Sequence, residues 1–437
     1  MKRIVKRLLL LCTAVVSSCV LSGCMADSTV EDLFTLPQPP MEYAGLAGKI
    51  NQLIVDGYEY ASPTGGQNIQ SVQMVDLNMD GRSEAIAFFR RTGDEKPLKI
   101  MVFFSQGETY ELLCTIESSG SSVESVQYQD MNSDGTRELI VGWKISTDLQ
   151  NVAVYSVGEE PTVLLHNAYT RYSIQELDGD GVPSLLLFRA DADGASVAEF
   201  YGWRTDAMTL VYRTPLSSTM AELSAGSIVT GRMDESTPAV YVTGVNEKGM
   251  AVTDILVCRE NGALTNAALN WSTGVSGVIH PYRQMNPQDI NGDGITEIPA
   301  PATTSEQGKQ NDGVVHWLQC DSDGNTWRTG TTYHCQSSGW YFTLPEEWLG
   351  RVTTVATESA LNESQVVLKV DDVPVVALYT ISGENRENRA LRGNRMVLKR
   401  QTGIIYAGEL FESSAGWDFT EEQLRNNFHL IVSSWTA

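Results

Sequence analysis

Three acidic stretches of this chain have the residue types and spacing to hold a hard cation, and two weaker copies of the pattern accompany them. The first reads Asp76-Leu77-Asn78-Met79-Asp80-Gly81-Arg82-Ser83-Glu84. Its spacing returns at Asp130, Asn132, Asp134, Gly135 and Glu138. It returns again at Asp289, Asn291, Asp293, Gly294 and Glu297. A fainter copy, third in chain order, has Glu176, Asp178, Asp180 and Gly181, with Ser184 in the ninth place. The fourth runs from Thr230 to Pro238 and keeps only Asp234, with Arg232 where an oxygen ligand belongs. Oxygens at positions 1, 3, 5 and 9, with a glycine at 6, suit Ca2+, which takes six to eight oxygen ligands at about 2.3–2.6 Å. Position 7 adds its backbone carbonyl. The expectation is one Ca2+ in each of loops one, two and five, weak binding in loop three, and none in loop four. There the Arg232 guanidinium is expected to stand in for the ion.

These loops are not EF-hands, which need a bidentate Glu at position 12 and a helix on each side. Position 12 is Ala87, Val141 or Ala300. The flanks read as strands: Ser71 to Val75 and Ala85 to Phe89 around the first loop, Val123 to Gln129 and Leu139 to Trp143 around the second. Each loop therefore joins two strands, and the acid at position 9 closes the site early.

Loop starts at 76, 130, 176, 230 and 289 lie 46 to 59 residues apart. Periods of roughly 40–50 residues with several strands each suggest propeller blades. The first unit parses as four strands near 71–75, 84–90, 98–104 and 109–116, with a tight turn at Ser105-Gln106-Gly107-Glu108. Similar glycine turns follow at 157–160, 260–262 and 321–324, and such turns between alternating runs are hairpin signals.

The D-x-N-x-D-G-x-x-E loops resemble FG-GAP or VCBS-type repeats, the integrin-α-like calcium repeats of bacterial surface proteins. The resemblance covers roughly residues 66–335. It implies a mainly β fold, a β-propeller-like array of about five four-stranded units, with calcium between strands. The family hosts adhesion, ligand binding and some enzymes, so function has to be argued from the site.

Residues 1–24 read as an export signal. Lys2, Arg3, Lys6 and Arg7 precede an apolar run from Leu8 to Leu21, and Leu21-Ser22-Gly23-Cys24 looks like a bacterial lipobox with Cys24 as the lipidated residue. The apolar run is shorter than the roughly 20 residues of a membrane span. Without residues 1–24 the chain has 27 basic and 54 acidic residues, a net of −27. That charge argues against nucleic acid as a partner. The expected location is the extracytoplasmic face of the cell membrane, lipid-anchored. The expected partners are the membrane, through the anchor, and a surface protein or carbohydrate.

Residues 25–65 form a tether with Pro37, Pro39 and Pro40, then a short helix near 42–57 with Leu46, Ile50, Leu53 and Ile54 at helical spacing. The repeat ends near 335, and residues 336–437 read as a small α+β C-terminal domain able to fold alone. Its strands are expected near 366–370, 375–381, 396–399 and 403–410, and Thr420 to Gln423 is a capping-box pattern. Cys114, Cys258 and Cys320 fall in strands, while Cys320 with Cys335 is the pair in question for a disulfide.

Catalytic groupings are scarce. His166, His280, His316, His334 and His429 are scattered, and no phosphate loop or G-x-S-x-G elbow is present. The sequence therefore reads as a binding or scaffold protein. The rival reading is a polysaccharide-acting enzyme, a glycosidase or lyase on the same scaffold.

Replacing Cys24 by Ala is expected to move the protein from the membrane fraction into an unprocessed or soluble form. Fractionation with immunoblotting reads this, and membrane retention at normal mature size overturns the anchor.

Overall fold

The computed structural model describes residues 43–106, 109–259, 262–281, 285–303, 310–359 and 362–431. Cys24, the export signal, the tether up to residue 42 and the turn residues Gly107, Glu108, Glu260 and Asn261 lie outside them. The fold is mainly β, with several four-stranded antiparallel sheets. No described helix is long and apolar enough to cross a membrane.

The chain divides into two compact units. In the smaller, the helix Ala44–Val55 buries Leu46 and Ile50, the residues its apolar spacing singles out. Lys49 pairs with Glu111 at 2.5 Å, and the Tyr43 and Tyr110 rings lie 6.4 Å apart.

The larger unit is a succession of antiparallel sheets in chain order. The first is formed by Val72–Val75, Glu84–Arg90 and, outside residues 105–111 of the smaller unit, Leu98–Gln106 and Thr109–Ser118, with Glu59–Tyr60 also pairing Glu84–Arg90. The second is Ser122–Gln129, Glu138–Lys144, Gln150–Ser156 and Thr162–Tyr169. The third is Arg171–Gln175, Ser184–Ala190, Ser196–Arg204 and Ala207–Pro215. The fourth is Ser227–Arg232, Pro238–Val245, Ala251–Cys258 and Leu264–Asn266. In each, the metal-type loop joins the first strand to the second, as its flanks indicate. In the fifth sheet the first strand shrinks to a single bridge between Gln288 and Glu297.

Second strands are apolar throughout because both of their faces are covered. On Glu84–Arg90, Ala85, Ala87 and Phe89 alternate with Ile86 and Phe88, and all five are buried. Ile86, Phe88 and Ile100 pack with Leu139, Val141 and Trp143 of the second sheet. From the second sheet's other face, Ile140 and Val154 meet Leu185 and Leu187 of the third. Leu186, Phe188 and Phe200 of the third meet Val240, Val242 and Leu256 of the fourth. Ala239, Tyr241 and Ile255 then meet Ile298 and Cys320 of the fifth. Each of these five sheets thus shares a core with its neighbour in sequence.

The expected boundary at 336 runs through a sheet and is corrected here. The fifth sheet consists of Ile298–Thr303, Gln310–Cys320, Thr326–Cys335, Trp340–Thr343 and Phe428–Leu430 in that order. Two of its five strands thus lie beyond residue 336. The sixth sheet orders Val352–Ser359, Glu363–Val370, Val373–Ser382, Ile404–Leu410 and Met396–Gln401, with short helices Arg386–Ala390 and Glu421–Asn426. One core joins the fifth and sixth: Val314, Tyr333, Trp340 and Phe428 with Val366, Leu368, Leu378 and Tyr406. The capping box forms in both directions, Gln423 N to Thr420 Oγ1 and Thr420 N to Gln423 Oε1.

All four cysteines of the described residues are free thiols. Cys320 and Cys335 end two paired strands at opposite ends: Cys320 sits opposite Thr326 by the turn, while Cys335 lies beyond the Val314–Tyr333 pair. Nine residues of strand separate Thr326 from Cys335, roughly 30 Å at 3.4 Å per residue. A disulfide spans only about 6 Å between Cα atoms.

A fragment of residues 337–437 leaves Trp340, Phe342 and Phe428 without Val314 and Tyr333. It is expected to show no cooperative melt by circular dichroism, whereas the full chain melts cooperatively. A sharp transition of the isolated fragment restores the separate domain.

Candidate metal centres

Loops one and two share one geometry. Asp76 takes the backbone N–H of Asp80 on one oxygen (3.1 Å) and of Gly81 on the other (2.9 Å). Asp130 does the same with Asp134 and Gly135, at 3.2 and 3.0 Å. Asp80 and Asp134 each take the N–H two residues on, at 2.8 and 2.7 Å. This winding needs two left-handed residues per loop. Position 6 supplies a glycine, with φ of 87° at Gly81 and 86° at Gly135. Position 4 is left-handed as well, at Met79 (φ 54°) and Ser133 (φ 58°), where loops three and five place Gly179 and Gly292.

The ninth-position glutamates are buried, Glu84 at 2% exposure and Glu138 and Glu297 at 0%. Each turns Oε2 to the backbone N–H of position 2: Glu84 to Leu77 (2.9 Å), Glu138 to Met131 (2.7 Å), Glu297 to Ile290 (2.9 Å). Leu77 and Met131 are themselves buried plugs. In loops one and two the other oxygen, Glu84 Oε1 and Glu138 Oε1, is buried with no hydrogen-bond partner. An orphaned buried carboxylate oxygen is costly unless a cation or donor meets it. Three carboxylates and an Asn carbonyl are the all-oxygen set a hard divalent ion takes, but among the described residues only loop three brings one oxygen from each of three acids within 4.8 Å of the others.

Burial raises the pKa of all three glutamates, the loop aspartates add to it by repulsion, and the hydrogen bond from position 2 offsets part. Glu138 is pushed up to about 7.

Loop five has the same acids but a different neighbour. Gln319 donates its amide to Asp293 Oδ2 and to Glu297 Oε1, both at 2.8 Å, and Asn291 and Thr329 also donate to Glu297 Oε1. The strand register explains it. The residue after the partner of position 10 stands beside the ninth position: Phe104, Ser156, Gly202, Cys258 and Gln319 in the five units. Only the fifth unit carries an amide there.

Loop three brings Glu176, Asp178 and Asp180 together, with one oxygen of each within 4.8 Å of the others. Here a guanidinium sits on the acids. Arg204 reaches Asp178 at 2.5 Å and Asp180 at 3.1 Å. Gly202 makes room for it, since a Cβ there would lie 3.1 Å from Arg204 Nη1. In loop four Arg232 does not take that role, which corrects the expectation. It donates to the Glu235 carbonyl, and Asp234 is satisfied by Ser236 and Thr237. Burial pushes the Asp234 carboxyl up, but those donors outweigh it and hold it below its usual value.

The loops are stitched to one another. Arg137 N of loop two donates to Leu77 O of loop one at 2.7 Å, and Thr296 N of loop five donates to Arg232 O of loop four at 2.9 Å. First strands of the sheets line one cavity of about 1230 Å3, reached by Val75, Gln127, Gln175, Ile228 and Gln288. His334 and Tyr341 complete its wall. Sequence spacing points to the metal acids but not to Arg204, Gln319, the position-4 backbone or this cavity. The paired Gly179 and Gly292 are the signal that marks position 4.

No protein-family model and no curated protein matches this sequence. Among solved structures, a hypothetical protein from Leishmania major aligns over 64% of this chain and 92% of its own, at 10% identity and a TM-score of 0.22. A likeness that slight carries no inference.

Glu138 yields a pH test. Its folded pKa is raised above the unfolded value of 4.5 to about 7, so its contribution is present below about 4.5 and lost as pH rises through about 7. His280 and His334, pushed down to about 4 by burial, act alike in wild type and variant and cancel. In chelator, Glu138→Gln is expected to match wild type near pH 5 and to melt a few degrees higher near pH 8. Equal melting temperatures at both pH values overturn the buried charge.

Proposed function

We propose that this chain is a lipid-anchored, extracytoplasmic binding module whose successive sheets are the blades of a calcium-stabilised β-propeller. The observation that carries the reading is the cavity whose wall is contributed by five consecutive sheets in turn. First strands facing one shared space, with adjacent sheets packed face to face, is how propeller blades are disposed around a central channel. Concave sites with a few placed polar groups are where ligands bind.

Calcium has a defined role in this reading. Loops one and two hold it through Asp76, Asn78, Asp80 and Glu84, and through Asp130, Asn132, Asp134 and Glu138. Loop five holds it through Asp289, Asn291, Asp293 and Glu297 once Gln319 gives way, so more weakly. Loop three, Glu176, Asp178 and Asp180, already has the Arg204 charge and ranks last. The ion supplies positive charge to carboxylates that burial alone would leave repelling one another, so binding is linked to folding.

The polysaccharide-cleaving alternative has less support. Glycoside hydrolysis generally uses two carboxyl groups about 5–9.5 Å apart. Among the described residues lining the cavity, Asp289 is the single carboxylate, and it belongs to a metal loop.

Metal analysis of freshly purified protein is expected to find calcium, and Asp80→Ala and Asp134→Ala each to remove one ion, while Asp180→Ala removes none. One site saturated at 100 times its dissociation constant adds about 2.7 kcal/mol. Chelation should therefore lower the melting temperature by several degrees, with calcium restoring it better than magnesium. Calcium-free protein with a melt indifferent to chelator reduces the loops to acidic turns.

A further inference from the structure

Charge is spread unevenly along this chain. Residues 384–401 hold six cations, Arg386, Arg389, Arg392, Arg395, Lys399 and Arg400, against two acids, Glu384 and Glu387, a net of +4. The rest of the chain from residue 25 on has 21 basic and 52 acidic residues, a net of −31. The basic stretch is folded. It runs from the helix Arg386–Ala390 through a turn into Met396–Gln401, the edge strand of the sixth sheet, and that sheet carries no metal-type loop.

The cations have different surroundings. Arg389 and Arg395 serve the fold: both reach Glu363, at 3.5 and 2.8 Å, and Arg395 lies over the Tyr379 ring at 3.7 Å. Arg392, Lys399 and Arg400 are exposed. Arg400 pairs with Glu387 at 3.2 Å, but both side chains are more than half exposed, and such a pair contributes little. Among the described residues no acid pairs with Arg392 or Lys399. Leu391, beside Arg392, is 60% exposed. Arg425 donates Nη1 to the Val397 carbonyl of the edge strand at 2.8 Å.

We propose that this edge of the sixth sheet docks on the surface of an anionic phospholipid bilayer, with Arg392, Lys399 and Arg400 at the headgroups and Leu391 in the interface. The inference rests on the lipid-anchored reading above and adds which face of the body meets the membrane. Charge complementarity selects the partner and the orientation together. An anionic surface attracts basic side chains within about a Debye length, roughly 8 Å at physiological salt. It repels the remaining net of −31, so this edge is the face turned toward it. In the anchored chain residues 25–42 span at most about 65 Å, so the body stays beside the bilayer at high effective concentration and a weak patch suffices. A soluble acidic polymer satisfies the cations but leaves Leu391 in water. An added peptide strand is disfavoured because Arg425 already occupies a carbonyl of the edge strand.

The test uses the whole chain from residue 25 on, free of any acyl group, in calcium-containing buffer. The probes are vesicles of phosphatidylcholine, pure or mixed with phosphatidylglycerol, and soluble polyglycerol phosphate as the polymer comparison. Co-sedimentation is expected with the mixed vesicles and not with the pure ones. Salt near 1 M, where the Debye length falls to about 3 Å, should release the protein. Arg392→Ser combined with Lys399→Ser should weaken binding to mixed vesicles about 25-fold, about fivefold or 1 kcal/mol for each cation. Leu391→Ser should weaken vesicle binding severalfold and leave the polymer unaffected. Lys96→Ser combined with Lys248→Ser removes the same charge from exposed turns of the first and fourth sheets and should change nothing. All these side chains are exposed, so melting temperatures should match wild type. Absence of binding to mixed vesicles overturns the proposal, as does binding that the Lys96 and Lys248 pair weakens as much as the Arg392 and Lys399 pair. Binding of the polymer without binding of vesicles overturns the bilayer in favour of a soluble polyanion. The Cys24→Ala fractionation reads the anchor separately, so failure here leaves that reading standing.

Discussion

A buried glutamate that must accept the N–H of a residue seven positions earlier is the constraint on which the repeat depends. Glu84, Glu138 and Glu297 each fasten their loop to the start of the second strand through this bond. The bond fixes one oxygen and leaves the second beside two aspartates, in a place where burial already disfavours charge. The repeats meet that electrostatic problem in different ways. Loops one and two leave that oxygen without a hydrogen-bond partner. Loop five brings in the Gln319 amide, and loop three replaces the glutamate by Ser184 and lays Arg204 over the remaining acids. At the ligand positions loop four keeps only Asp234 and caps that with hydroxyls and N–H groups.

The same logic governs the sheets. A second strand apolar on both faces cannot be satisfied within its own unit, because one face always looks outward. Ile86 and Phe88 find the second sheet, Ile140 finds the third, and the sequence continues until Val314 and Trp340 find the sixth. Shared cores make the units interdependent, as in other repeat architectures, where stability is intrinsic terms plus neighbour interfaces. The fifth unit is the odd one. Its first strand is a single bridge, and it recruits Trp340–Thr343 and Phe428–Leu430 on its far side.

What the sequence makes legible is what depends on neighbours along the chain. Strand limits near 84–90 and 138–144 follow from apolar runs, and the loops from oxygen spacing, since both are set within ten residues. The Thr420–Gln423 cap is local for the same reason. Illegible are the contacts that register decides. Arg204 looks like an ordinary surface arginine until pairing puts it beside Asp178, 26 residues away. Gln319 reaches Glu297 over 22 residues by the same route. The strand 428–430 joins a sheet begun more than a hundred residues earlier, and no local pattern announces it. The split at 336 fails because the period of the loops ends there while the hydrogen bonding does not.

Metal loops and cavity wall are not separate devices. Arg137 lies in loop two one residue before Glu138, donates its N–H to Leu77 of loop one, and lines the cavity. Asp289, first residue of loop five, and Thr296, its eighth, line the same space, and Thr296 ties that loop to Arg232. Under the calcium reading proposed above, an ion bound at Glu138 and Asp134 would therefore act on the backbone that carries part of the wall. A ligand bound on that wall would in turn act on the ion's ligands, because coupling between two binding equilibria is reciprocal. The acidity of the chain, costly in a single buried loop, would thus become the means by which dispersed loops, already tied by the Arg137–Leu77 and Thr296–Arg232 backbone bonds, fix one shared surface.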